Sequence, residues 1–345
     1  MRNLFLTTAL VGVCAVASVA ALAQQRAPAP TQPPAPAQDA GDVEAPTPVA
    51  LTVGGLSLAS NPGLEVEAIE IAVAPNKVTQ TYRVKNNSAA EVKVPASVAM
   101  PDLQASAEGT EVYNIDVTKP ENPVGLSIVA GGAPVATRVI LRADALGMDR
   151  SAEIKAAGLP LTPFGAESDK ALKAMKPDQL LKLSDLGLIS PPEADQPDAQ
   201  SVADWTLSVT HAWDQAFAPG KSADIALSFK PATAQYPLTK DNADALDAFK
   251  EDACLSAQAI KTLKTKMQGK NAAALTLTEI NVAADKPMRW RPAPATSISI
   301  DKPTPDTIVS FCGADAKSLS LPKVVGKVED SENGDLRIVM ISPAR

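Results

Sequence analysis

A single histidine, His211, and only three cysteines in 345 residues leave little of what nucleophilic and metal chemistry usually draws on. Zinc sites take several Cys or His ligands, and no C-x-x-C pair occurs, so no metal centre is expected. A catalytic triad needs a nucleophile and an acid converging on the histidine. No G-x-S-x-G or comparable nucleophile turn is present, so His211 reads as a structural or surface residue. Gly54 with Gly55, and Gly131 with Gly132, lack phosphate-loop spacing and a following Lys or Ser/Thr, and read as turn glycines. The acidic loop Glu329 to Asp335 lacks the D-x-D-x-D-G spacing of a calcium loop. Asp241 and Asp244 suit a helix start, where acidic side chains complement the dipole. Positive charge is in deficit, with 32 Lys and Arg against 39 Asp and Glu, for a net charge of -7. Such a chain has no long-range attraction for nucleic acid or anionic lipid. No cofactor is implied.

What is present begins with an export signal. A basic start at Arg2 is followed by an apolar run from Leu4 to Leu22, with Ala21 and Ala23 flanking Leu22. This order predicts a signal peptide over residues 1–23, cut after Ala23 so that Gln24 leads the mature chain. An uncleaved anchor stays open, because about 19 apolar residues just reach across a bilayer. Cys14 sits in mid-run rather than at its end, which argues against a lipoprotein. Once the signal is removed, no transmembrane span is expected. Residues 24–50 carry Pro28, Pro30, Pro33, Pro34, Pro36, Pro46 and Pro48 and almost no large apolar side chain. They read as a disordered, extended Pro/Ala-rich linker. Residues 51–345 are long enough for one large domain, with a division near 51–235 and 236–345 left open.

With Cys14 gone, Cys254 and Cys312 are the only pair, and in an exported chain an even count reads as one disulfide. Closing that loop would restrict the unfolded chain by about 4 kcal/mol.

Period-two alternation dominates the rest and predicts antiparallel strands. Leu64 to Ala74 and Val78 to Val84 flank Pro75 and Asn76 as a hairpin, and Val92, Val94 and Val98 continue the sheet. Ser127 to Val129 and Val135 to Leu141 flank Gly131 and Gly132 as a second hairpin. A third runs from Trp205 to Trp213, turns at Pro219 and Gly220, and returns through Ile225, Leu227 and Phe229. Further strands are expected at Ala274 to Val282, Thr296 to Ile300, Thr307 to Phe311 and Leu336 to Ile341. Ser168 and Pro177 open two short helices, the second ended by Gly187. A long helix is expected from Asn242, with the stripe Leu246, Phe249, Ala253, Ala257, Ile260, Leu263 and Met267. Cys254 lies well to the side of that stripe, so the disulfide sits at the helix edge or the helix breaks there. The fold class is α+β and strand-dominated: antiparallel, β-sandwich-like sheets with a long helix and short helical insertions.

Aromatic residues make up only 3% of the chain. Trp205 and Trp213, an even number apart on one strand, are expected to face the core. Trp290 lies between Arg289 and Arg291 and, with Tyr236, forms a candidate shallow binding face, since large aromatics with Arg typify contact sites.

The order of motifs resembles the exported bacterial family known as domain of unknown function 4424. The matching stretches are GGLSL at Gly54, the N-N-S turn at Asn87 and Ser88, SVAMPDL at Ser97, GLPLTPFG at Gly158, LSDLGLIS at Leu183, WDQAFAPGK at Trp213 and VSFCG at Val309. Together they cover most of the chain from residue 51 onward. Where the family usually shows an aromatic followed by proline, this chain has Ala99, Met100 and Pro101, and again Phe217, Ala218 and Pro219. The resemblance implies an exported domain with the cysteine pair and brings no activity or ligand with it. The resulting expectation is a periplasmic or secreted, non-catalytic binding or interaction module, with an envelope protein or ligand as its partner. The alternative is an envelope hydrolase whose carboxylates converge only in the fold.

Overall fold

The computed structural model describes residues 50–105, 114–191, 200–268, 274–284, 287–288, 292–328 and 334–344. It divides the chain into a unit of residues 1–47 and a unit of residues 48–345. The expected signal peptide and nearly all of the expected linker lie outside the described residues, and everything below concerns the second unit. None of its described helices is long and apolar enough to cross a membrane.

The chain opens with β1 (Ser57–Leu58), the hairpin of β2 (Leu64–Ala74) and β3 (Lys77–Asn86), and β4 (Val92–Ala99). There follow β5 (Ser127–Ala130), β6 (Ala133–Pro134), β7 (Arg138–Ala145) and β8 (Met148–Asp149). Three short helices come next: α1 (Ser151–Ala156), α2 (Ala166–Lys173) and α3 (Pro177–Asp185). Strands resume with β9 (Ile189–Ser190), β10 (Val202–Ala203), β11 (Thr206–Phe217), β12 (Ser222–Phe229) and β13 (Thr233–Leu238). A 3₁₀ turn (Ala243–Ala248), α4 (Phe249–Asp252) and α5 (Ala257–Lys266) then precede β14 (Leu275–Ala283), β15 (Thr296–Asp301), β16 (Ile308–Ser310), β17 (Lys323–Val328) and β18 (Asp335–Pro343).

A five-stranded sheet has the order β1-β4-β11-β7-β8, and a seven-stranded sheet the order β17-β15-β2-β3-β12-β5-β6. A four-stranded sheet runs β13-β14-β18-β16. Every pairing between named strands is antiparallel except β15 with β2, which is parallel. The inner faces of the two larger sheets carry the alternating residues: Val94, Val98, Leu207 and Val209 from one, Ile69, Ile71, Val78, Ile225 and Leu227 from the other. All belong to one contiguous buried cluster, which makes the two sheets a sandwich. The four-stranded sheet is covered on both faces. Ile280, Val282, Ile338 and Met340 join the sandwich core. Leu275, Leu277, Val339 and Ile341 face a second cluster under the helical segments. Coverage on both faces explains the unbroken apolar run Ile338 to Ile341.

Strand dominance and antiparallel pairing stand as expected, and several local expectations change. Val92, Val94 and Val98 do not continue the sheet of the first hairpin, because β4 pairs with β1 and β11 in the five-stranded sheet. Ser168 lies inside α2, which starts after Gly165. The long helix is not there. Its stripe residues Leu246, Phe249, Ala253, Ile260, Leu263 and Met267 are buried, yet the helix breaks at Cys254, whose φ is +51°. The left-handed backbone ends one helix, and the Ser256 hydroxyl accepts from the Ala259 N–H at 3.1 Å to cap the next. Pro219 and Gly220 reverse the chain, but β11 and β12 belong to different sheets, so this turn crosses the sandwich instead of closing a hairpin. Gly131 and Gly132 close only the two-residue return to β6, after which β7 joins the other sheet beside β11. In each case the turn signal fixed the reversal, while the partner strand was set by burial of the alternating face.

Candidate functional site

The outer face of the seven-stranded sheet carries small hydroxyl side chains where β2, β3, β15 and β17 lie side by side. Thr79 and Thr81 of β3, Glu70 and Ala72 of β2, and Ser297 and Ser299 of β15 alternate outward while their neighbours fill the core. The segment Gly313 to Asp315 rises along the edge of β17, and a groove of about 650 Å³ lies between it and these rows, with Lys327 at its side. Gly313 and Gly326 make the close approach. A Cβ at Gly313 would come within 2.2 Å of the Lys327 carbonyl oxygen, and one at Gly326 within 2.4 Å of the Gly313 oxygen. The crossing is fastened by the Lys327 N–H donating to Gly313 O at 3.1 Å and the Asp315 N–H donating to Val325 O at 2.8 Å. The glycine of the VSFCG stretch is thereby explained, since it builds the wall of the groove.

Thr79 Oγ1 lies 3.2 Å from Ser228 Oγ, and Ser297 Oγ donates to Ile69 O at 3.2 Å. The Thr81 and Ser299 hydroxyls take no partner among the described residues, so they face the groove with their capacity unspent, while the Glu70 carboxylate beside them lies within electrostatic reach of Arg83. Nothing in the sequence pattern marked these positions beyond the polar half of an alternating strand.

The other motifs are structural pins. The Asn86 amide donates to Ala90 O at 2.8 Å and Phe217 O at 2.9 Å, tying the N-N-S turn to the end of β11. Trp205 is fully buried and its Nε1–H donates to Leu161 O at 2.7 Å, which holds the GLPLTPFG segment. Trp213 packs against the core only in part and lines a second groove, of about 740 Å³, with Arg138, Ile140 and Thr210. His211 is buried. Its Nε2 is 2.9 Å from the Glu121 carbonyl, which can only accept, and its Nδ1 is 2.9 Å from Thr137 Oγ1. Both ring nitrogens are thus committed to holding two loops.

Of the expected binding face, Arg289, Trp290 and Arg291 lie outside the described residues, as does most of the acidic loop from Glu329. Tyr236 is half-buried on β13 against the second cluster. Cys254 and Cys312 are joined in a disulfide with Cα atoms 5.0 Å apart. Beside it lies a polar cluster that sequence reading missed. Arg337 of β18 donates to the Glu279 carboxylate at 2.8 Å and to Asp252 at 2.6 Å, with its guanidinium 4.8 Å over the Phe249 ring. Burial works against the charge on Arg337. The hydrogen bond and proximity of Glu279, aided by Asp252, outweigh it and hold the guanidinium above its ordinary pKa. Glu279 itself is fully buried. Among the described residues no group of three or more His, Cys, Asp or Glu is arranged to hold a metal ion.

Among solved structures, one from Legionella pneumophila subsp. pneumophila str. Philadelphia 1, described as "a putative nutrient binding protein", aligns over 85% of this chain and 71% of its own, with 9% identity and a TM-score of 0.37. No curated protein sequence matches. The family model described as "Domain of unknown function (DUF4424)" matches residues 46–325, and the chain belongs to that family.

Proposed function

We propose that this is an exported, non-catalytic binding module of the bacterial envelope, held on a proline-rich tether and taking a small polar ligand in the groove of the seven-stranded sheet. The observation that carries the reading is the groove's lining: the unspent Thr81 and Ser299 hydroxyls, with Glu70, Asp315 and Lys327 beside them, on strands held rigid by their ladders. Its volume falls within the roughly 300 to 1,000 Å³ of small-molecule sites. Its hydroxyls and mixed charges, set among Ala72, Ile298 and Val325, fit a hydroxylated or zwitterionic ligand that also carries an apolar part. Export is supported by the order of basic start, apolar run and A-x-A site, and by the disulfide. The rival envelope hydrolase would need two carboxylates enclosed together, whereas Glu70 and Asp315 are both exposed.

The test is a thermal shift. The small-molecule fraction of the native envelope extract should raise the melting temperature of the mature protein by mass action, and should leave a groove-filled Thr81→Trp variant unmoved. Equal shifts for both proteins would overturn the groove as the site.

A further inference from the structure

Sheet edges display unpaired backbone groups, and folded proteins usually blunt them by shortness, proline, charge or a covering segment. Most edges here follow that rule. β1, β6 and β8 are two residues long, β13 carries Pro237, and β16 is three residues long. The outer edge of β17 is covered by Gly313 to Asp315 through the Ala314–Gly326 bridge.

β7 does not follow it. It pairs with β11 without a bulge from Arg138 to Asp144, and on its other side β8 reaches only Asp144 and Ala145. The Ala143 N–H donates to Ser151 Oγ at 2.9 Å, and the Ala143 carbonyl accepts from the Arg150 N–H at 2.7 Å, so Ala143 points away from β11. Because antiparallel ladders alternate, Leu141 and Val139 point the same way, and no described residue takes their N–H or C=O groups. The side chains there are apolar and open on both faces: Val139 is 38% exposed, Ile140 44% and Leu141 40%. Arg142 is paired with Asp144 at 2.8 Å, whereas Arg138 has no ion pair or hydrogen bond from its side chain among the described residues. Arg138 and Ile140 also wall the second groove.

We propose that the outer edge of β7, residues 138–142, is a docking edge for an extended segment of a partner protein. The segment adds to the five-stranded sheet as a further strand, sets apolar side chains against Val139 and Leu141, and brings a carboxylate to Arg138. Arg138, unpaired among the described residues, fits a partner that brings a carboxylate, which a second copy paired about Ile140 does not. Self-pairing centred on Ile140 sets Arg138 opposite Arg142 of the second copy, a like-charge pair, between two molecules that each carry a net charge of -7. This edge is on the opposite sheet from the polar groove, so the two readings fail or survive separately.

The probe is a blocked, fluorescent hexapeptide alternating valine and threonine with a terminal glutamate, compared with the same peptide ending in lysine, each titrated into the mature protein. The glutamate peptide should bind roughly three- to tenfold more tightly, and Arg138→Glu should invert that order. Leu141→Pro removes an outward N–H without touching the β11 ladder and should abolish binding of both peptides while leaving the melting temperature within a few degrees. If that variant does not fold, Val139→Lys with Leu141→Lys, which plants charge on the edge, should do the same. Binding of neither peptide, binding that survives the edge variants, an order that ignores Arg138→Glu, or a dimer that the edge variants dissolve would each overturn the proposal.

Discussion

The sandwich core and the smaller cluster beneath the helical segments differ in how they are held. In the sandwich, the buried polar side chains that tie segments together reach backbone carbonyls: Gln80 bonds to Ala283 O, Asn86 to Ala90 O and Phe217 O, and His211 to Glu121 O. Most of the rest is an interlocking set of alternating apolar residues on long ladders. The smaller cluster has short, interrupted helices over one sheet face, and it is fastened by a disulfide at one end and a buried ion pair beside it. A small core buries too little surface to fix itself, so cross-links take over what area supplies in the larger one. The lesson is that the same stress should not loosen the two equally.

The largest effect expected is loss of the disulfide. Cys254→Ser with Cys312→Ser should lower stability by about 4 kcal/mol, read by urea unfolding, because the bridge closes a loop of 58 residues. Thiol counting on the denatured, unreduced protein should find none free in the mature chain, and two free thiols would remove the basis of the comparison.

Next comes Arg337→Ala, expected to lose about 3 kcal/mol, since it leaves the fully buried Glu279 carboxylate without its partner. The figure sits at the lower end because Arg337 keeps some contact with water. Replacing both, Glu279→Leu with Arg337→Met, should recover most of the loss. No recovery would mean that the pair contributes more than mutual charge compensation.

The smallest effect belongs to the sandwich's surface. Asp224 accepts from Arg83 at 2.8 Å, and that hydrogen bond holds its pKa below the ordinary value of 3.8. A depressed folded pKa contributes stability at neutral pH that is lost as the pH falls through it. Both side chains are about half exposed, so Asp224→Asn should cost under about 1 kcal/mol near pH 7. The gap to the wild type should close on acidification to about pH 2.

The sequence made much of the sandwich legible, because a half-buried strand writes its alternation locally, as in Leu64 to Ala74 and Trp205 to Phe229. The cysteine pair was legible from arithmetic alone. Strand partners were not: β15 lies beside β2 although more than two hundred residues separate them, and no local pattern encodes that neighbour. β17 went unread because Gly326 interrupts its alternation, and that glycine is there for the crossing with Gly313. The helix break was half visible, in the sideways position of Cys254. The Ser256 cap was the signal that could have settled it. The groove and the open edge both arise from non-local assembly. Thr81 and Ser299 are ordinary polar strand residues until β2 is set between them, and Val139 to Leu141 read only as part of a strand, with no local sign that β8 would pair just the last two residues of β7.

Hydrogen exchange measured peptide by peptide, before and after reduction of the mature protein, tests the contrast between the two cores most directly. Amides in the helical segments between Ala243 and Met267 should lose protection on reduction while those of β2, β3 and β12 keep theirs. Uniform loss across both regions, or no change in the helical segments, would contradict it.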